Sequence, residues 1–279
     1  MPARRFTTFL GVDLGGGKGK NTAVARLVAE PGRVRVVEVG TRVPGEGSTP
    51  PFYDHLLVKH LRAFADDAVL AIDAPLTATT CVRCQLPRCL TLEHCDDPTV
   101  AWFRGTVAAL QGGDPRVRDG VDGRFGKKPL ATPYTQRACE VVLHRDHGIL
   151  PRETLGQGMG PLTARALYLR RALEDRFQLN ENLLEVYPKA TLERLFGAEA
   201  RRYKRHPDTW AVRARLLEQL SDELSFDVWR EGCLSNDHCF DAVICAYTAY
   251  RWARDGWQLP VTDREVFARD GWIWIPPAL

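Results

Sequence analysis

Three apolar runs of this chain each end in an acid. They are "FLGVDLGGG" with Asp13, "VLAIDAPL" with Asp73 and "NLLEVYP" with Glu185. A carboxylate buried without partners costs several kcal/mol or more. Each of these must therefore be neutralised, hydrogen-bonded, paired with a cation or set at an open strand end. A fourth stretch, "NDHCFDAVICA", carries Asp237, His238 and Asp241. Positions 238 and 241, or 237 and 241, share one face of a helix. Asp241 is flanked by Phe240, Ala242, Val243 and Ile244, where a packed stripe is expected. Carboxylates at the ends of neighbouring strands, ~4.8 Å apart, repel unless a divalent cation lies between them. Oxygen-only ligands suit Mg²⁺ or Mn²⁺. Two such ions ~3.5–4 Å apart would activate a water and stabilise the leaving oxygen in phosphodiester cleavage.

A second constellation is "CVRCQLPRCLTLEHC", with Cys81, Cys84, Cys89 and Cys95 spaced C-x2-C-x4-C-x5-C. The spacing is compact enough for one tetrahedral centre, holding Zn²⁺ or an iron–sulfur cluster, with His94 able to replace Cys95. Arg83, Arg88 and Arg104 lie nearby and could meet phosphates or solvent. Cys233, Cys239 and Cys245 read as small hydrophobes.

The elements that must position these residues follow from patterning. Strands are expected over 5–14, 21–29 and 33–43, joined by short links as an antiparallel meander. A helix from about residue 52 follows, with Leu56, Leu57, His60, Leu61 and Phe64 at helical spacing. "AVLAIDAPL" is apolar on both faces, as a central strand parallel to its neighbour should be. Helices are expected over 98–110 and near 134–146, in "GQGMGPLTARALYLRRALEDRF", in "HPDTWAVRARLLEQLSDEL" and in "SNDHCFDAVICAYTAYRWARDG". "ENLLEVYP" is the fifth strand, stopped by Pro188, and "GWIWIPPAL" is a candidate short extra strand.

Bulk properties bound the function. With 279 residues, 44% of them hydrophobic, the chain can bury a substantial core. Its 38 basic and 35 acidic residues leave a net charge of +3, which is not the balance of a dedicated nucleic-acid binder and does not exclude nucleic acid. No run approaches the ~18 apolar residues of a membrane span. The first residues lack the apolar core of a signal peptide. A cytoplasmic protein is the expectation, and oligomeric state is not legible.

The order of three strands, helix, strand, large insertion, strand and helices is that of the ribonuclease H-like fold. The expected class is α/β, a mixed five-stranded sheet with helices on both faces. One domain would span 1–279, with an insertion over 76–160 that contains the four-cysteine segment 81–95. Strands one, four and five would be parallel neighbours whose C-terminal ends share an edge, where open α/β sheets bind ligands. Asp13, Asp73 and Glu185 would converge there.

The segments "GVDLGGGKGKNTAVA", "VLAIDAPL", "PYTQRACEVVLHRDHGILPRETLGQGMGPLTARALYLRRAL", "LLEVYPKATL" and "DHCFDAVICAYTAYRWA" resemble the ribonuclease H-like superfamily, and more closely domain-of-unknown-function family 429, described as predicted nucleases. The resemblance implies a metal-dependent nuclease acting on DNA or RNA. Holliday-junction resolvases of that superfamily carry acids on the first and fourth strands, and an acid or histidine three residues before an aspartate on the last helix. Asp13, Asp73 and His238-x-x-Asp241 match that pattern, whereas Glu185 has no secure counterpart. The candidate catalytic set is Asp13, Asp73, Glu185, His238 and Asp241, with Asp13, Asp73 and Asp241 as ligands of Mg²⁺ or Mn²⁺.

Two other readings stay open. One is an ATP-binding phosphotransferase of the sugar-kinase/actin type, although no second glycine-rich loop follows Asp73. The other is a non-catalytic nucleic-acid-binding or redox-sensing module. "GGGKGKN" fails the phosphate-binding loop spacing and reads as a hairpin turn, with Lys18 and Lys20 as possible point charges on a phosphate. The basic run "RVRDGVDGRFGKK", flanked by Phe103, Phe125 and Tyr134, could lie over nucleic acid or be plain surface.

Overall fold

The computed structural model describes residues 6–16, 21–113 and 132–277. Strand β1 (Thr8–Asp13) pairs antiparallel with β2 (Ala23–Glu30), and β2 pairs antiparallel with β3 (Arg33–Gly40). The run ending in Asp73 is β4 (Ala68–Asp73), parallel to β1 and in register from Thr8 against Ala68 to Asp13 against Asp73. β5 (Leu183–Val186) lies parallel to β4. These are the five expected strands. Two short ones extend the sheet: β6 (Leu224–Phe226) parallel to β3, and β7 (Ile273–Trp274) parallel to β5. The sheet thus has seven strands, in the order β6-β3-β2-β1-β4-β5-β7, rather than five. β7 falls in "GWIWIPPAL", the candidate extra strand, whereas β6 is too short for alternation to announce it and residues 220–224 continue a helical pattern.

Among the described residues, the α-helices of seven residues or more are α1 (Asp54–Ala63), α2 (Pro98–Gly113), α3 (Ala138–His147), α4 (Gly160–Leu173), α5 (Pro188–Phe196), α6 (Thr209–Gln219), α7 (Asp237–Asp255) and α8 (Arg264–Asp270). Pro188 ends β5 as expected but also opens α5, since its fixed φ suits the first helical turn. A 3-10 helix, Ala198–Lys204, follows. Among the described residues, no helix is long and apolar enough to cross a membrane.

The chain forms two compact units. The first comprises Met1–Leu76, Ala164–Gln258 and Ile273–Leu279, and the second Thr77–Thr163 and Leu259–Trp272. The first unit holds the sheet. Its main helix, α7, packs across β1, β2, β3, β4 and β5. α7 starts at Asn236, whose side-chain oxygen accepts from the backbone N–H of His238 at 2.9 Å, an N-cap. It ends at Gly256, in the left-handed region. Ala242, Val243, Ile244, Cys245 and Ala246 are fully buried along it. β1 and β4 are buried on both faces, as their continuous apolar runs require.

The second unit is built on Phe103, Ala138, Val141, Val142, Val266 and Phe267, with Trp102, Leu259 and Trp272 packed against them. Its polar centre is Arg137, almost wholly buried. Arg137 Nε donates to Glu140 Oε1 at 3.0 Å and Thr154 Oγ1 at 2.7 Å, and its Nη1 donates to Thr77 Oγ1 at 2.9 Å. Asp270 fixes the start of α3 by accepting from Ala138 N at 2.6 Å, and accepts from Arg83 Nη2 at 2.8 Å. A buried charge is tolerable here because each member is paired and hydrogen-bonded.

Candidate metal centre

Register brings the first two acids together. Asp13 and Asp73 end adjacent parallel strands as a Cα pair, so their side chains leave the same face of the sheet. Gly11, two residues before Asp13, faces that side too. It lets α7 approach so closely that a Cβ on Gly11 would fall 2.0 Å from Ala242 O and 2.5 Å from Ala246 N. The approach brings Asp241, which precedes Ala242 on α7, to the same point. One carboxylate oxygen each from Asp13, Asp73 and Asp241 lie within 4.8 Å of one another. Among the described residues this is the only such group of three or more His, Cys, Asp or Glu ligand atoms.

The surroundings counter the crowded negative charge only in part. Asp241 is fully buried; its Oδ1 accepts from the Tyr203 hydroxyl at 2.8 Å, and its Oδ2 forms an ion pair with Lys204 Nζ. His238 Nδ1 lies 2.5 Å from Asp13 Oδ2, a hydrogen bond in which the ring N–H donates to the carboxylate oxygen. No described residue donates a hydrogen bond to Asp73. Burial pushes the Asp73 carboxyl well above its ordinary range, and the Asp13 and Asp241 charges add to this. Burial likewise pushes Asp241 up to about 7 against the opposing pull of Lys204. Burial opposes the charge on Lys204, but Asp241 outweighs it and holds the ammonium above the usual lysine range. The hydrogen bond to Asp13 raises His238. Three hard oxygen donors, one of them lacking any donor, fit a small divalent cation.

Neighbouring segments hold the strand ends in place. Arg165, buried, donates from Nη1 to Gly15 O at 2.7 Å and Thr22 Oγ1 at 2.6 Å, and from Nε to Asp54 Oδ1 at 2.7 Å. It pins both ends of the turn after β1. Glu185 stands outside the aspartate group. It pairs in register with Ile72, not Asp73, and so leaves the opposite face. Its Oε2 accepts from Leu76 N at 2.8 Å, securing the chain just after Asp73. Its charge still reaches Asp73 and raises it further.

A family model with the description "Protein of unknown function (DUF429)" matches residues 11–265. The chain belongs to the DUF429 family. No curated protein and no solved structure matches it.

Tyr203 and Lys204 of this DUF429 chain contact Asp241 and are the residues at the aspartate group that sequence reasoning missed. They lie in "EARRYKRHPD", a charged stretch with no apolar period to mark it. Asp237 lies in the first turn of α7, with Asn236 rather than Asp237 as the N-cap. Cys233, Cys239 and Cys245 are buried, as small hydrophobes should be.

The four clustered cysteines are unpaired and line one cavity of ≈ 690 Å³ in the second unit. Their sulfurs do not form a group within 4.8 Å of one another, so the expected tetrahedral site is not closed. Burial, then Cys95, Cys89 and Cys84, push the Cys81 thiol up to about 11. Arg104 Nη1 donates to Leu92 O at 2.6 Å and Cys95 O at 2.7 Å, and Arg83 to Asp270, so both brace this loop. Lys18, Lys20, Phe125 and the basic run 116–128 lie outside the described residues.

Proposed function

We propose that this DUF429 chain is a divalent-metal-dependent nuclease with a ribonuclease H-like core and an insertion over 76–160. The single observation that carries this reading is the convergence of Asp13, Asp73 and Asp241 on one point. These three would hold Mg²⁺ or Mn²⁺. A divalent ion bound there acts as a Lewis acid on a phosphodiester and makes water nucleophilic near neutral pH. His238 keeps a proton on Nδ1 and orients the Asp13 carboxylate through it. Tyr203 fixes Asp241 in the same way. Glu185 acts by positioning the residues after Asp73.

Cations around the site suit a phosphate backbone. Lys189, at the start of α5, is lowered by burial and then by the charges of Arg201, Arg205 and Lys204, so these cations share one neighbourhood. DNA or RNA is the proposed partner. The cysteine quartet of the second unit is proposed to hold Zn²⁺, or an iron–sulfur cluster. A cation would offset the burial, and then the neighbouring sulfurs, that push the Cys81 thiol up.

The test is cleavage of single- and double-stranded DNA and RNA with Mg²⁺ or Mn²⁺ by wild type, Asp13→Asn and Asp73→Asn. Wild-type cleavage that both variants lose supports the reading. Equal cleavage by all three refutes it.

A further inference from the structure

We infer that the aspartate centre takes one divalent ion rather than two, with the Lys204 ammonium standing where a second ion would bind. The inference rests on the metal-centre reading above and deepens it.

Three observations carry it. The first concerns ligands. Both oxygens of Asp241 are engaged, Oδ1 by Tyr203 at 2.8 Å and Oδ2 by Lys204, and Asp13 Oδ2 is engaged by His238 at 2.5 Å. Asp241 can therefore offer an ion only the remaining lone pair of an oxygen already engaged, and the unengaged oxygens are the second one of Asp13 and those of Asp73. They serve one ion, whereas two ions ~3.5–4 Å apart need ligands on both outer sides as well as a bridge.

The second is charge. One divalent ion and one ammonium cancel three carboxylates. Two ions with the ammonium would leave two positive charges uncompensated beside Asp241, which is 0% exposed, and burying unpaired charge is costly.

The third is place. Lys204 ends the 3-10 helix, and its side chain is 39% exposed while it touches a carboxylate with no exposure. Its ammonium thus spans from the acids to solvent, where a phosphoryl oxygen would arrive. A preorganised cation at that position stabilises developing negative charge without a second metal.

The experiment counts Mn²⁺ bound per full-length chain at neutral pH, by the paramagnetic resonance of the free ion. It compares wild type, Lys204→Met and Lys204→Arg, with Asp73→Asn giving the background from ions held elsewhere. The expected result is one ion for wild type and Lys204→Arg and two for Lys204→Met, the second weaker. Cleavage by Lys204→Met at saturating Mn²⁺ should fall about 10²–10³-fold, with Lys204→Arg partly restoring it. Two ions on wild type would overturn the inference and leave the metal centre standing. One ion on both wild type and Lys204→Met, or undiminished cleavage by Lys204→Met, would also overturn it. No ion above background on wild type at millimolar Mn²⁺ would remove the metal centre itself. Should Lys204→Met not fold, the wild-type count still decides between one ion and two.

Discussion

Gly11 of β1 lies directly against the backbone of Ala242 on α7, with no room for a methyl group between them. The contact sets the depth at which α7 sits on the sheet, and hence whether Asp241 reaches Asp13 and Asp73. Gly11→Ala should therefore act twice. It should destabilise the chain by roughly 1–3 kcal/mol through overpacking, and it should abolish the thermal stabilisation given by Mn²⁺. Melting with and without Mn²⁺ measures both. An unaltered Mn²⁺ response would show that the acids do not depend on this approach.

Asp73 is a crowded carboxylate to which no described residue donates. Asp73→Asn should stabilise the metal-free chain by about 1 kcal/mol, or ~2–4 °C in melting temperature, and remove Mn²⁺ binding. Opposite changes in stability and function from one substitution mark a group retained for its chemistry. A destabilised Asp73→Asn would mean that Asp73 has a structural partner.

The pH dependence has a definite sign. The unfolded chain releases its carboxyl protons near the ordinary value of about 4. Folded and metal-free, the chain holds those of Asp73 and Asp241 to higher pH, Asp241 to about 7. The folded state binds more protons in that window, so the share of stability owed to these groups falls as pH rises through it. The raised His238 contributes stability that is complete below its unfolded value and is lost as pH rises through its folded one, the same direction. Compared with Asp73→Asn, wild type should lose stability as pH rises above the ordinary carboxylate value of about 4, and its Mn²⁺-induced shift should grow in the same direction. A Mn²⁺ shift that shrinks with rising pH would contradict the assignment.

Glu185 separates positioning from ligation. Glu185→Gln keeps an oxygen for Leu76 N and should leave the Mn²⁺ count unchanged. Glu185→Ala leaves that buried N–H without its acceptor and should cost about 1–3 kcal/mol. A lost ion in Glu185→Gln would return Glu185 to the ligand set.

For the cysteines, metal analysis of the purified chain should find zinc or iron, released by Cys81→Ser. Metal content unchanged in that variant would leave the thiols as bystanders.

The strand ends were legible because an acid closing an apolar run is costly unless something compensates it, and His238-x-x-Asp241 was legible from helical spacing. The place of Glu185 was not. Sequence shows that an acid ends β5 but not which residue of β4 it opposes, and a shift of one residue reverses its face. Tyr203 and Lys204 were hidden because their role comes from tertiary contact with Asp241, while locally they belong to a charged segment with no apolar period. β6 was too short to carry a pattern of its own.

Crystals grown with Mn²⁺ and measured for its anomalous scattering test the central claim most directly. The account expects one peak among Asp13, Asp73 and Asp241, lost in Asp73→Asn. Density for ordinary solvent there, with no ion among the three carboxylates, would contradict it.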